Sequence, residues 1–299
     1  MHATSARLVV MIIPVLLTAA ALAADWSAVS AAPMNRTVYV TVTDRQGAPV
    51  TDLTPADFVV KEGGKEREVV KAAPVTARMR LAVGFEERLA PDSAVRVGIF
   101  EFVKRVANAA EISLIAIGLG NRTIVDYTSD PGLLVGGINT LTLNASRESN
   151  MAEGILEIVE GFTKNKPERP AIVVIAISGG PSSVNPRSFL ERLGDSGVTM
   201  HAATLRGGGA SGTPVGALAD EGGLDQVLGD GPKQSGGRQI EVNATAGIPR
   251  ALQQIADDLL GQYAITYVLP DGVKPSKRFS ISTKRRGVTL RAPSTIPDR

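Results

Sequence analysis

Four apolar runs constrain this chain more than anything else in it: MRLAVGF (79–85), ISLIAIG (112–118), AIVVIAIS (171–178) and VTMHAATL (198–205). They do not alternate regularly with polar residues, so each must be covered on both faces, as interior strands of a parallel sheet are. Between the runs, apolar residues recur at helical spacing. Val95, Ile99, Phe102, Val103 and Val106 make one stripe, and Met151, Ile155, Ile158, Val159 and Phe162 another. Asp92-Ser93 follows Pro91, Asn150 stands three before Glu153 in a capping-box arrangement, and Asn185-Pro186 opens a third helix. A fourth, IPRALQQIADDLLGQY, gathers Ile248, Leu252, Ile255, Ala256 and Leu259 on one side. The alternation predicts an α/β fold, a doubly wound and mostly parallel sheet flanked by helices. RTIVDYTSD (122–130) reads as a hairpin partner of the run before it, which puts one antiparallel strand at an edge.

The chain ends read differently. Residues 1–24 have the form of a signal peptide: Arg7, then LVVMIIPVLLTAAAL, then Ala21-Leu22-Ala23 as a cleavage pattern. Retention of that segment as an anchor is the alternative; once it is removed no stable membrane span is expected, and the protein is periplasmic or secreted. Residues 37–76 form a small β-rich unit, with Val38, Val40 and Val42 on one strand face, Thr54-Pro55 starting a helical turn and a hairpin across Gly63-Gly64. Residues 77–268 make the α/β domain, and 269–299 a C-terminal β extension. YAITYVL, KRFSIST and VTLRA read as strands that pair with the N-terminal unit, because neither end buries enough apolar surface alone.

Composition removes several functions. The chain has no cysteine, so thiol chemistry and disulfides are excluded. After loss of His2 with the leader, His201 is the single histidine for any catalytic or zinc-binding role. A formal charge of +2, with no Lys/Arg run interleaved with aromatic residues, argues against a nucleic-acid partner.

The order of elements, with VYVTVTDRQGAPVTDLTPADFVVKEGG, VDYTSDPGLLVGGINTL, GVTMHAATL, SGGRQIEV and IADDLLGQYAITYVLPDG, resembles the bacterial von Willebrand factor type A-related proteins of the kind frequent in acidobacteria. The resemblance runs from residue 37 to residue 296. It implies an exported, non-enzymatic protein-interaction module. In that family a D-x-S-x-S loop after the first strand, a Thr from a second loop and an Asp after the fourth strand hold a divalent cation that a partner's carboxylate completes. Aligned by strand ends, Gly84, Glu86 and Arg88 fall on the D, S and S positions, Ser149 near the Thr, and Ser178 on the second Asp. Both aspartates are missing and a guanidinium is added, so the resemblance implies a degenerate site with no metal and no cofactor.

The candidate partner-binding residues are therefore Glu86, Glu87, Arg88, Ser149 and Ser178. The plainer reading of the 86–88 loop is a solvated surface with Arg88 paired to a neighbouring carboxylate. The sharper one puts Arg88 in the cation's place, receiving an acidic group of a protein partner at the carboxyl-end face of the strands. Two alternatives stand beside these: a metal-dependent adhesion module with a shifted Mg²⁺ or Mn²⁺ ligand set, and a hydrolase using the loops near Ser178 and His201. Asp257 and Asp258 read as exposed helix residues, and Lys274, Lys277, Lys284, Arg285 and Arg286 as a solvated basic face. The glycine-rich interval 206–237 reads as a surface excursion, and VGALADEGGLDQVL within it resembles the family segment in which a helix precedes a small-residue turn into the next strand.

Overall fold

A computed structural model of the protein describes residues 33–89, 92–141, 149–180, 182–206 and 223–297. The leader read in residues 1–24 and most of the glycine-rich interval, 207–222, lie outside the described residues. Among the described residues no helix is long and apolar enough to cross a membrane.

The four apolar runs become β5 (Met79–Glu86), β6 (Ala110–Ile117), β8 (Pro170–Ile177) and β9 (Thr199–Leu205). With β7 (Asn121–Thr128) and β10 (Gln239–Val242) they build a six-stranded sheet in the order β10-β9-β8-β5-β6-β7. All neighbours are parallel except β7, the expected antiparallel edge. Helices α1 (Ser93–Val106), α2 (Pro131–Asn139) and α6 (Ile248–Leu260) cover one face, and α3 (Met151–Asn165), α4 (Pro186–Ser196) and α5 (Gly223–Ser235) the other. The fold is thus doubly wound, and α1, α3 and α6 bury the apolar stripes that their spacing marks.

Local signals explain most helix starts. Asp92 accepts from the amides of Ala94 at 2.8 Å and Val95 at 3.3 Å, and also from the Thr245 hydroxyl at 2.8 Å. Asn185 accepts from Ser188 N at 3.1 Å. The capping box expected at Asn150 and Glu153 does not form. Asn150 Nδ2 donates to Leu119 O at 3.0 Å, and the Glu153 carboxylate turns to Ser183.

Residues 223–235 form helix α5, packed on the sheet and not part of a surface excursion, while the portion of the expected helix over 215–222 lies outside the described residues. Helix α5 runs through Pro232, a residue that ordinarily interrupts a helix. Burial of Leu224, Val227 and Leu228 overrides that local preference. The Gly236-Gly237 pair that follows has a packing reason. Gly236 is at φ +84°, and a Cβ on Gly237 would lie 1.9 Å from Met200 O. Gly237→Ala should cost about 2–3 kcal/mol by forcing backbone apart. Chemical denaturation checks this, and a cost below about 0.5 kcal/mol would contradict the close approach.

The chain ends combine in two small sheets. β1 (Met34–Asp44) lies between β11 (Gln262–Leu269) and β13 (Val288–Arg291), and β4 (Val69–Pro74) pairs with the other side of β11. β2 (Phe58–Glu62) pairs with β3 (Lys65–Arg67) across the Gly63-Gly64 turn and with β12 (Phe279–Thr283) on its other side. Their shared core includes Val40, Val42, Phe58, Val60, Tyr263, Ile265 and Tyr267. All of β11 pairs within this small sheet, so a division after residue 268 would cut through it. Inside, Glu62 is fully buried and satisfied: it accepts from Arg36 at 2.5 Å, Ser276 N at 2.7 Å and the Tyr267 hydroxyl at 2.6 Å. Arg169 ties this part to the α/β part, donating to Ala77 O at 3.0 Å, Leu259 O at 2.5 Å and Gln262 Oε1 at 2.8 Å.

Candidate functional site at the carboxyl ends of the strands

From β5 the sheet grows through β6 and β7 in one direction, and from β8 through β9 and β10 in the other. The order therefore reverses between β5 and β8, and ligands of open α/β sheets sit in the crevice beyond such a reversal. Glu86 is the last residue of β5, and Ser178 is the first beyond β8.

Glu86 is 0% exposed. Its Oε2 accepts from Ile177 N at 2.7 Å, bridging the reversal, and its Oε1 accepts from Arg88 Nε at 2.6 Å and from Arg88 Nη2. Arg88 stands on a one-turn 3₁₀ helix, Glu87–Leu89, with its side chain 35% exposed. The loop is therefore not the solvated surface expected of it, although Arg88 does pair with a neighbouring carboxylate. A charged residue enters the strand end because three N–H donors from two residues replace its lost hydration. Glu87 turns away, accepts from Arg122 at 2.7 Å and packs against Gly118.

Gly84 lies two residues inside β5. A Cβ there would sit 3.0 Å from Ile117 Cδ1 and 3.5 Å from Ile158 Cδ1, so its side of the strand faces the apolar core. The residue at the strand end is Glu86, two places after the position given to the leading aspartate. An aspartate introduced at Gly84 would point into that core.

Ser178 is held by Leu205 O, which accepts from its amide at 2.9 Å and its hydroxyl at 3.2 Å. Ser149 Oγ is buried with no hydrogen-bond partner among the described residues. The next residue, Asn150, donates its amide to Gly118 O at 2.8 Å. Glu86, Arg88 and Ser178 thus share the β5–β8 crevice, whereas Glu87 and the Ser149-Asn150 segment meet at the turn after β6. Two acids found only in the structure hold the loop after β8. Glu153 Oε1 accepts from Ser183 N at 2.7 Å and Ser183 Oγ at 2.6 Å, and Asp225 accepts from Gly179 N at 2.8 Å. Burial would raise the Glu153 pKa, but the bonds from Ser183 outweigh it and hold the carboxyl below its usual range.

A divalent cation of the kind the resemblance implies needs several hard oxygens, with carboxylate charge free to offset its dehydration. These residues do not fit it. Both Glu86 oxygens are engaged, the Arg88 guanidinium lies against one of them, the Ser178 hydroxyl is tied to Leu205, and the buried oxygens left uncommitted among the described site residues, Ser149 Oγ and Glu153 Oε2, supply one carboxylate oxygen where the ion needs several.

A serine–histidine pair is not assembled either. His201 is in register with Val173, while Ser178 follows Ile177, which is in register with Leu205. Five residues along the strand direction separate the level of His201 from Ser178, about 16 Å at 3.3 Å per residue. His201 is fully buried and its Nδ1 accepts from Arg238 N at 3.3 Å. Burial first, then the positive charges of Arg291 and Arg238, push its pKa down to about 3, so the imidazole is neutral.

Asp258 also corrects the sequence reading. Asp257 is partly exposed and pairs with Arg105, but the Asp258 side chain is only 1% exposed and lies between two arginines. Its Oδ1 accepts from Arg238 Nη2 at 2.7 Å and Arg291 Nη2 at 2.5 Å. Its own burial raises its pKa, against the pull of both guanidinium groups. Periodicity carries a signal for this: Asp258 falls three residues after Ile255, on the buried stripe of α6.

No protein-family profile matches the sequence, and no curated protein matches it. Solved structures do resemble it. Proximal thread matrix protein 1 from the mussel byssus, described with a zinc-occupied MIDAS motif, aligns with 62% of this chain at 12% identity and a TM-score of 0.46. The match spans about half of that protein, 48% of its chain. The vWF domain of the type V pili tip protein Mfa5 from Porphyromonas gingivalis aligns with 62% of this chain and 96% of its own at 11% identity and a TM-score of 0.45. The conserved hypothetical protein BatB from Bacteroides thetaiotaomicron gives 61% and 98% at 14% identity and a TM-score of 0.42.

Proposed function

We propose that this protein is an exported, non-enzymatic interaction module on a type A-like scaffold, which binds a protein partner at the carboxyl-end face without a metal ion. The observation that carries this reading is the Glu86–Arg88 pair, set at the reversal of strand order where a bound group is best held. Arg88 spends its Nε and one Nη on Glu86, which leaves donors on its exposed part for an acidic group of the partner. Ser149 and Ser178 complete the candidate face. The leader-like pattern around Arg7 and Ala21-Leu22-Ala23 supports a periplasmic or secreted location.

Two measurements test this. A cation bound to the folded state at a hundredfold excess over its Kd would stabilise it by about 2.7 kcal/mol. The melting temperature should instead be the same in millimolar Mg²⁺, in Mn²⁺ and in EDTA. A cation-dependent shift would restore the metal reading. In the second, wild type and Arg88→Lys are used to capture partners from an extracellular or periplasmic extract. Lysine keeps a charge beside Glu86 but loses the planar fork. Capture should fall at least tenfold while the fold is retained, and undiminished capture would remove Arg88 from the binding face.

A further inference from the structure

Charge is divided unevenly between the two parts of this molecule. Residues 33–78 carry seven Lys/Arg and six Asp/Glu, and residues 262–297 carry seven and one; residues 79–261, between them, carry sixteen and twenty-one. The near-neutral whole therefore hides a basic β part joined to an acidic α/β part.

On the three-stranded sheet the cations form a row. Phe58, Val60 and Glu62 of β2 and Phe279 of β12 point inward and are buried. Strand alternation turns Lys61 of β2 outward, opposite Ser280, and Ser282 outward opposite Val59. Arg278 and Lys284 continue the Ser280–Ser282 row at its two ends, where Gly63 N donates to Arg278 O at 2.9 Å and Lys284 N donates to Asp57 O at 2.8 Å. Lys61, Arg278 and Lys284 are exposed and make no ion pair among the described residues, in contrast to Lys277 with Asp195 and Arg285 with Asp52. Glu66, opposite Lys61 on β3, is the acid in this row.

We propose that this outer sheet face docks on an anionic phospholipid surface. Arg278 and Lys284 are six residues apart, about 20 Å along the strand, well beyond the Debye length of about 8 Å, so each meets its own headgroups. The face is the outside of a sheet whose outward row holds serines, a valine and cations but no aromatic ring. A single-stranded nucleic acid would need rings on which to stack its bases, whereas a plane of lipid phosphates needs only a plane of cations.

The test is co-sedimentation of the full chain with extruded phosphatidylcholine vesicles, with and without 30% phosphatidylglycerol, read as the ratio of the two partition coefficients. The ratio cancels any contribution of the apolar N-terminal segment to binding neutral lipid. Each basic side chain near an anionic surface is worth roughly fivefold in partition. The ratio should be large at 50 mM salt, collapse at 500 mM, and fall roughly a hundredfold in Lys61→Gln/Arg278→Gln/Lys284→Gln. The triple variant Arg96→Gln/Lys104→Gln/Arg250→Gln removes as much charge from α1 and α6 and should keep the ratio. A wild-type ratio near one overturns the proposal, as does an equal loss in the two triple variants. Tighter binding to duplex DNA or soluble polyphosphate than to vesicles, at equal phosphate, overturns it in favour of a soluble polyanion.

Discussion

Acidification from pH 7 to pH 4 should cost the wild-type protein about 3 kcal/mol more than it costs His201→Gln. In the folded protein the His201 pKa is depressed from 6.5 to about 3. The unfolded chain therefore takes up this proton first, and stability that is fully present above pH 6.5 is lost as pH falls towards 3. Each pH unit in that window contributes about 1.4 kcal/mol. Arg238 and Arg291 oppose a charge on the imidazole, and Asp258 is the one acid among the groups named around it. Urea titrations at half-unit pH intervals on both proteins give the result as a difference of slopes, so carboxylates common to the two drop out. Parallel slopes would mean that His201 is not the buried neutral group described.

Removal of Asp258 should have an effect of similar size at neutral pH. Asp258→Ala leaves two guanidinium groups, each about one-fifth exposed, facing one another without the carboxylate between them. Breaking a buried ion pair from one side costs about 3–5 kcal/mol, because the remaining charge stays desolvated. The double variant Asp258→Leu/Arg291→Met removes charge from both sides and should recover at least about 1 kcal/mol of that loss. A single-variant cost below about 1 kcal/mol, or a double variant worse than the sum of its singles, would show that the cluster does not join α6 to β13 as its geometry implies.

The scaffold was legible in the sequence because apolar periodicity is a local property. β5, β6, β8 and β9 coincide closely with the four apolar runs, and α1, α3 and α6 bury the stripes their spacing marks. Helix α5 was less legible because Gly229, Gly231 and Pro232 read as breakers, and only tertiary burial holds that turn of chain helical. The candidate site was harder still. Glu86 looks like a surface acid until Ile177 N–H and Arg88 are seen to close on it, and Glu153 looks like a cap until Ser183 arrives from another loop. Both depend on partners far away along the chain, about which local propensity says nothing. The same holds for Asp258, whose arginines come from a strand start and a strand end; only its place on the α6 stripe gave notice that solvent would not reach it.

The position of β1 has a consequence for the order in which the molecule can assemble. Both of its neighbours, β11 and β13, come from the last forty residues, and β2 and β4 likewise complete their sheets with β12 and β11. Within residues 34–74 only the local β2–β3 pair can close early; β1, β4 and the other edge of β2 must wait while the whole α/β part is synthesised, and their pairing closes a loop of some two hundred residues. Such non-local closure is slow, and a strand waiting with bare edges is open to pairing with the wrong chain. A nascent or prematurely ended chain that stops at Gly261 would therefore lose both ends of the molecule together, since the last-made strands are the clasp that holds the first.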